Sequence, residues 1–506
     1  MPLHACAGRL RCIRLFLITQ DMLIARTVKI LIGVVRIPAF GILIAVTAMA
    51  SEMQPGGEGS VRAGTLPAFD LPLANLPESM RPRFYAGKAL ANQPWIKAPT
   101  TTDARDGLGP LYNARTCLAC HVRGGKGVMP SDDKSAIFAA VMRLSIPGEI
   151  DPLLGVRPEP VYGDQLQGQS VALSHQLRMA RTPIAPADNP EAPPEAQVYL
   201  AWTETPFTYP DGDTVHLRRP TAEFRDLGYG ALHADTQTSL RAAPAIHGMG
   251  LLAAVAPEAL LALADPEDDD GDGISGKPNY VWSASTSSVA LGRFGWKANK
   301  ATLDDVVAAA FAADVGITSP LAPQQPCSAA QLRCLKMPSG ENKEGFELPQ
   351  DLLELTSYFL RNIGVPKARV RDAQAQQGRE VFREMGCAGC HTPSLKTGTF
   401  QGELAHLSEQ TIWPYTDLLL HDMGAALADD RPDFDASGRE WRTPPLWGLG
   451  LSSKVNGVSH LLHDGRARNP EEAILWHGGE AAASTAAFVN AEREEREALI
   501  RFLETL

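Results

Sequence analysis

Two short stretches decide what this chain can build: CLACH at 117–121 and CAGCH at 387–391. In each, two cysteines are separated by two residues and a histidine follows the second cysteine directly. This is the attachment pattern of c-type haem, in which both thiols add to vinyl groups and the adjacent imidazole binds the iron. A zinc site or a thioredoxin-like thiol pair is the alternative, although neither needs a histidine after both pairs. We predict two covalently bound haem c groups, with the attaching and ligating residues Cys117, Cys120, His121, Cys387, Cys390 and His391.

The first 50 residues have the pattern of an export signal. Arg26, Lys29 and Arg36 precede an apolar run over 37–50, and Ala48-Met49-Ala50 forms a cleavage pattern before Ser51. A retained membrane anchor is the alternative, but the run is short for a span and contains Pro38. We therefore expect residues 1–50 to be removed, leaving a periplasmic protein without a stable membrane span.

The charge balance bears on the partners. Without residues 1–50 the chain carries 41 basic and 57 acidic residues, a net charge of −16. Such a surface disfavours nucleic acid and favours a cationic protein. The expected partner is a redox protein, either a small cytochrome or a cupredoxin.

Apolar spacing predicts most of the chain to be helical. Helical periodicity covers 301–314 and 349–363, another helix leads into Cys387, and Asn490 can cap a final helix. Alternation over 196–224, with a turn at 210–213, predicts a β-hairpin. We expect a mainly α fold with two cytochrome c-like haem lobes, over 51–366 and 367–506, and a small β-hairpin insertion in the first lobe.

Longer motifs carry a resemblance to a known family, and they span almost all of the chain after residue 50. The chain resembles the di-haem oxidoreductases, some of which are labelled thiol oxidoreductases or peroxidases, and it is similar to bacterial di-haem cytochrome c peroxidases and to MauG. The motifs are GLGPLYNARTCLACH (107–121), DDDGDGISG (268–276), GRFGWKA (292–298), DVGITSPL (314–321), PYTDLLLHDMG (414–424), WRTPPLWGLG (441–450) and LLHDGRARNPEEAILWHGGEA (461–481).

The resemblance implies a division of labour between the two haems. The N-terminal haem would bind peroxide at an open iron face, and the C-terminal haem would be six-coordinate and relay electrons. The expected function is a periplasmic, peroxidase-like haem oxidoreductase. Two alternatives stay open: a non-catalytic electron-transfer cytochrome, and a MauG-like oxidant of a protein partner.

The sixth ligand of the second haem can be inferred from a short predicted helix. Asn469 is a good N-cap, Pro470 suits the first helical position, and Gly478-Gly479 ends the helix, so that His477 lies in its last turn. In the similar peroxidases a methionine ligand lies fourteen residues after the histidine of the HDG motif, and in MauG a tyrosine does. Counting from His463 gives His477. We predict bis-histidine ligation by His391 and His477, with His421 and His463 as rival ligands and a surface role for His477 as the alternative.

Two further residues are assigned to the haem pockets. His247 follows an Arg-x-x-Pro pattern like the one before the distal pocket of related peroxidases, and could exchange a proton with peroxide. A buried, hydrogen-bonded histidine is the alternative, and the sequence identifies no distal carboxylate. Arg442 is a candidate partner for a haem propionate, because guanidinium pairs with carboxylate.

An acidic segment resembles the first half of a calcium loop. Asp268, Asp270 and Asp272 alternate with glycines that permit a tight turn. The usual bidentate glutamate is missing, since position twelve is Asn279. Calcium binding is the prediction and a solvated acidic turn the alternative.

Cys327 and Cys334 form the remaining cysteine pair after residue 50. No histidine follows either cysteine. In an oxidising compartment a disulfide is the simplest reading, and a redox-active thiol pair is the alternative.

Overall fold

A computed structural model describes residues 51–62, 68–99, 105–171 and 192–506. The predicted export signal over 1–50 lies outside these residues. The chain separates into Met1–Met53 and Gln54–Leu506, and the fold below is that of the second unit. Within the described part of the chain, no helix combines the length and the apolar character needed to cross a bilayer.

The α-helices are short, and four of them have eleven or twelve residues. In chain order they are α1 Arg81–Asn92, α2 Cys117–Cys120, α3 Met249–Ala253, α4 Pro257–Leu261, α5 Leu303–Ala310, α6 Leu332–Leu335, α7 Gln350–Arg361, α8 Ala373–Glu384, α9 Ser452–Asn456, α10 Pro470–Trp476, α11 Ala482–Asn490 and α12 Arg493–Leu503. Single 3-10 turns occur at Gly57–Gly59, Glu78–Met80, Val122–Gly124, Gly402–Leu407, Leu449–Leu451 and Gly479–Ala481, and a π-turn at Phe311–Val315 continues α5.

The strands pair two by two, always antiparallel. They are β1 Leu111–Tyr112, β2 Ala140–Ser145, β3 Gln169–Ser170, β4 Gln197–Thr208, β5 Thr214–Arg225, β6 Gln237–Ala242, β7 Tyr280–Ser283, β8 Ser288–Leu291, β9 Leu395–Lys396, β10 Thr411–Ile412, β11 Leu420–Asp422 and β12 Glu440–Arg442. The pairs are β1 with β3, β2 with β6, β4 with β5, β7 with β8, β9 with β10 and β11 with β12.

The predicted fold class is wrong. Helix makes up 29% and strand 19% of the structure, so it is not a mainly α pair of cytochrome c lobes. The missed strands are mostly two to six residues long, too short to show the period-two alternation that identifies a strand in a sequence. The β2–β6 pair also joins Ala140 to Ala242, and such a distant pairing leaves no local signal.

The predicted hairpin is present, but its packing reaches well beyond the N-terminal part of the chain. β4 and β5 pair from Gln197 with Arg225 to Thr208 with Thr214. At its tip, Tyr209 joins the apolar cluster of α8, α11 and α12, together with Phe382, Phe488 and Phe502. The Tyr209 hydroxyl donates to Glu471 Oε1 at 3.0 Å. The tip of the hairpin therefore belongs to the core around the second CxxCH motif, whereas Val198 near its base packs with Met142 and Leu144.

Several local predictions are confirmed. A helix, α7, lies within 349–363, α8 leads into Cys387, and Asn469 caps α10 by accepting from the Glu472 N–H. Cys327 and Cys334 are joined as a disulfide. The cap proposed for the last helix is wrong, because Asn490 ends α11 and α12 begins after Glu492 with a capping box to Glu495.

Candidate functional site

The second motif lies between α8 and a tightly bound loop. The Cys387 N–H donates to Phe382 O, and the His391 N–H donates to Cys387 O. The His391 ring places Nδ1 2.9 Å from Tyr415 O. Tyr415 has a positive φ of 55°, a sparsely populated conformation that surrounding packing must hold. With Nδ1 donating to that carbonyl, Nε2 keeps its lone pair for a metal.

A cavity of about 300 Å³ opens at this motif and carries His477 in its wall. Cys387, Cys390, His391 and His477 all line it. His477 follows α10 directly, with Nδ1 2.6 Å from Ala473 O, so its Nε2 is also left as a lone pair. Burial lowers the pKa of His477. Burial also lowers the pKa of His391, and the nearby His477 contributes to that shift. Two neutral imidazoles thus share the cavity.

His421 and His463, the two rival ligands, also line this cavity and are held differently. His421 has carboxylates at both ring nitrogens, from Asp417 and Glu480. His463 stacks on the Trp441 ring with centroids 3.7 Å apart and planes 6° apart. The rival ligands are therefore engaged by neighbouring side chains, whereas His477 is fixed through one nitrogen only.

The first motif is built in the same way. Thr116 caps α2 by accepting from the Ala119 N–H, and the His121 N–H donates to Cys117 O. His121 Nδ1 is 2.7 Å from Pro244 O. Pro244 also lines the cavity at the second motif, so the carbonyl that orients the first histidine belongs to a residue in the wall of the second site.

A carboxyl that sequence analysis did not identify lies near the first motif. Burial, together with the charge of Asp314, raises the pKa of the Cys117 and Cys120 thiols to about 12. Burial also raises the pKa of Asp314 itself. Gln165 Nε2 donates to Asp314 Oδ1 at 2.8 Å, and Arg143 Nη1 donates to Gln165 Oε1 at 3.0 Å.

None of the four motif thiols forms a disulfide. A pKa near 12 for Cys117, Cys120 and Cys387 keeps these thiols neutral, whereas reactive redox thiols have lowered pKa values. This disfavours the thioredoxin-like alternative and fits thiols that form thioethers.

Comparison with known proteins agrees with these two sites. A sequence model of the family described as "Di-haem oxidoreductase, putative peroxidase" matches residues 51–506. The chain belongs to this family. The resemblance inferred from the motifs is thereby confirmed. Searches among curated proteins and among solved structures gave no match.

The residues at both sites of this di-haem oxidoreductase fit haem. Each site offers two free thiols and an imidazole oriented through Nδ1, and the second adds a cavity with another imidazole in its wall. Cysteine thioethers with axial histidine are the donor set of c-type haem. Covalent attachment and the ligand His477 stay predictions that this geometry fits.

His247 lines the cavity of the second motif. It stacks on Phe69 with centroids 4.2 Å apart, and its Nε2 is 3.1 Å from Trp447 O. Burial lowers its pKa to about 4. Cys117, Cys120 and His121 are not among the residues lining that cavity. The acid–base role of His247 at the first haem stays a prediction. In the structure His247 is a buried, hydrogen-bonded histidine, which is the alternative given above.

Arg442 also lines the cavity. Its Nε donates to Gly295 O at 2.7 Å and its Nη1 to Thr443 O at 2.9 Å. Burial lowers its pKa to about 10, so the guanidinium stays charged at neutral pH. A buried cation thus lies in this wall, and its pairing with a haem propionate stays a prediction.

The acidic loop differs from the predicted calcium loop. Carboxylate oxygens of Asp265, Asp268 and Asp270 lie within 4.8 Å of one another, but Asp272 accepts instead from the Ile274 N–H. Asn279 is buried, and its Nδ2 donates to Lys297 O and Asp433 O. The predicted twelfth position is therefore engaged elsewhere, and calcium binding stays a prediction.

Proposed function

We propose that this di-haem oxidoreductase is a periplasmic peroxidase with two covalently attached c-type haems, at Cys117 and Cys120 and at Cys387 and Cys390. One observation carries the proposal: the two sites differ in their second polar group. Among the described residues, His477 lines the same cavity as His391, whereas Asp314 lies beside the first motif, where its carbonyl accepts from the Asn113 and Ala114 N–H groups.

This asymmetry supports two roles. At the second site His391 and His477 would both hold the haem iron, which would suit electron relay. At the first site the added polar group is the carboxyl of Asp314, which would suit reaction with a small molecule. When bound, the haems supply the electrons and the Lewis acidity that peroxide reduction requires.

Asp314 is the group we assign to proton transfer at the first site. Burial raises the pKa of this carboxyl, and Gln165 Nε2 donates to Oδ1, so that a proton on Asp314 would be carried by Oδ2. Reduction of peroxide to two waters consumes two protons, and a carboxyl can deliver one to the departing oxygen. We prefer Asp314 to His247 because the backbone of Asp314 binds the segment that leads into Cys117, whereas His247 lines the cavity of the second motif.

The electron donor we propose is a cationic redox protein, a small cytochrome or a cupredoxin. The net charge of −16 without the export signal favours such a partner. At the second motif Gly389 is exposed, so the attachment turn reaches the surface where a partner can approach.

The test is rapid mixing of the holoprotein with hydrogen peroxide, following haem absorbance. We expect peroxide to react at a high-spin haem, and Asp314→Asn to slow that reaction by about 10²–10⁴-fold, the usual contribution of a general acid. Asp304→Asn changes a half-buried side chain of α5 and is the matched control. No reaction in the wild type would refute the peroxidase and favour the electron-transfer cytochrome. Peroxide consumption coupled to oxidation of a protein substrate, instead of oxidation of the electron-donor protein, would favour the MauG-like alternative.

A further inference from the structure

One imidazole in the second cavity has a carboxylate at each ring nitrogen. His421 Nε2 is 2.8 Å from Asp417 Oδ2, and Nδ1 is 2.7 Å from Glu480 Oε2. The His421 side chain is only 2% exposed. An ionised carboxylate can only accept, so both ring nitrogens must donate and the ring must be an imidazolium.

Hydrogen-bond donors occupy both oxygens of Glu480 and leave no lone pair free to carry a proton. Its Oε1 accepts from Ser275 Oγ at 2.8 Å and from the Asp422 N–H at 2.9 Å. Its Oε2 accepts from the Ser275 N–H at 3.0 Å as well as from His421. Burial opposes ionisation, yet the bond from His421 and these donors bring the pKa of Glu480 down to about 2. Glu480 is therefore an anion.

Asp417 completes the cluster from the loop that binds the second motif. Its Oδ1 accepts from the Leu419 N–H at 2.9 Å, and its own N–H donates to Cys390 O at 3.2 Å. With one cation and two anions, the cluster carries a net negative charge. The imidazolium lies between the two carboxylates, at 2.8 Å from Asp417 and 2.7 Å from Glu480.

The cluster lies against the attachment point of the second haem. His421 Nδ1 is 3.5 Å from Cys390 Sγ, and His421 lines the same cavity as Cys387, Cys390 and His391. Asp417 is 2% exposed. A charge at this depth is little screened by water, so it acts strongly on a neighbouring redox centre.

We propose that Asp417, His421 and Glu480 form a fixed negative charge that lowers the midpoint potential of the second haem. The inference rests on the proposed attachment of that haem at Cys387 and Cys390. A net negative charge stabilises ferric over ferrous iron, because the ferric state carries one more positive charge. His421 is a positioning residue in this cluster: it keeps both carboxylates ionised and is not an iron ligand.

The test is spectroelectrochemical titration of the holoprotein at about pH 5.5, below the ordinary histidine pKa of about 6.5, so that His421 stays charged. Glu480→Gln removes one negative charge, and we expect the second haem's midpoint potential to rise. His421→Asn removes the positive charge, and we expect no rise. Glu347→Gln is the matched control, because Glu347 is also buried and accepts from Thr318 and Gln325 but does not line this cavity.

A higher midpoint potential in Glu480→Gln but not in His421→Asn distinguishes an effect of charge from structural damage to the site. Water entry into a loosened site would move both potentials in the same direction. An unchanged or lower potential in Glu480→Gln, or a rise in both variants, would overturn the proposal. If Glu480→Gln does not incorporate haem, Asp417→Asn removes the same charge and is read in the same way. The readout needs no peroxide, so the outcome is independent of whether the peroxidase proposal holds.

Discussion

Substitution of Asp433 tests how this fold stabilises charged side chains in its interior. Its side chain is fully buried and accepts from Arg241 Nη1 at 2.7 Å and from Arg431 Nη1 at 3.2 Å. Asn299 Nδ2 donates to the same carboxylate. Burial alone would raise the pKa of Asp433, but the arginines hold it well below its ordinary value of 3.8. The carboxylate thus compensates two buried guanidiniums.

Replacing Asp433 by Asn keeps the shape and removes the charge. We expect a loss of about 3–5 kcal/mol in the free energy of unfolding, the usual result when one partner of a buried ion pair is removed. Arg431 would keep its bond to Leu144 O, and Arg241 its bond to Ser239 Oγ. Arg241 would also stay 3.8 Å from Asp429, a carboxylate that Lys297 shares. Arg431 would be left without a carboxylate at ion-pair distance among the described residues, so the loss should approach that of an uncompensated buried cation.

The measurement is thermal unfolding followed by circular dichroism at one scan rate, beside Asp435→Asn. Asp435 is exposed, lies two residues away in the same loop, and accepts from the Tyr280 N–H. We expect the Asp433 variant to lose several degrees and the control to stay close to the wild type. The difference should be present above about pH 3.8 and shrink in stronger acid, because the wild type then loses the same charge as the pH falls through its lowered pKa. Equal midpoints for the two variants at pH 7 would refute the reasoning.

Three other outcomes are expected. His477→Ala should convert the second haem from low-spin to high-spin in the electron paramagnetic resonance spectrum, and an unchanged low-spin signal would remove His477 from the iron. Glu195→Gln should flatten the pH dependence of thermal stability, because burial raises the pKa of Glu195 from 4.5 to about 8; the wild type should lose stability as the pH rises between these values, and identical pH profiles would contradict this. Tyr209→Phe should cost about 0.5–1.5 kcal/mol by removing the bond to Glu471, and Tyr209→Ala about 3–5 kcal/mol by also emptying an aromatic site; equal thermal midpoints for the two would show that the ring does not pack as described.

Sequence patterns identified the parts of the sites that depend on neighbouring residues. The CxxCH spacing fixes His121 and His391 beside their thiols, and the cap at Asn469 begins the helix that ends before His477. The hairpin over 197–225 was also predictable, because its long strands alternate and its turn is local.

Sequence patterns did not identify the groups that reach a site from a distance. Asp314 follows the first motif by almost 200 residues, and Glu480 binds His421 across a separation of 59. A lone carboxylate carries no periodicity, so only the fold shows which imidazole or thiol it approaches. The strands were missed for a related reason, since β2 and β6 find each other only once the intervening chain has folded.

The packing of the hairpin tip against the last helices has a consequence for folding during synthesis. Residues 197–225 leave the ribosome long before α11 and α12, which cover Tyr209 and its neighbours. Until the last helices exist, an apolar tip on two long paired strands remains uncovered, a state prone to aggregation. A fragment made of residues 367–506 alone would show the complementary defect, an open aromatic face where the tip belongs. The C-terminal haem unit should therefore mature only in the complete chain.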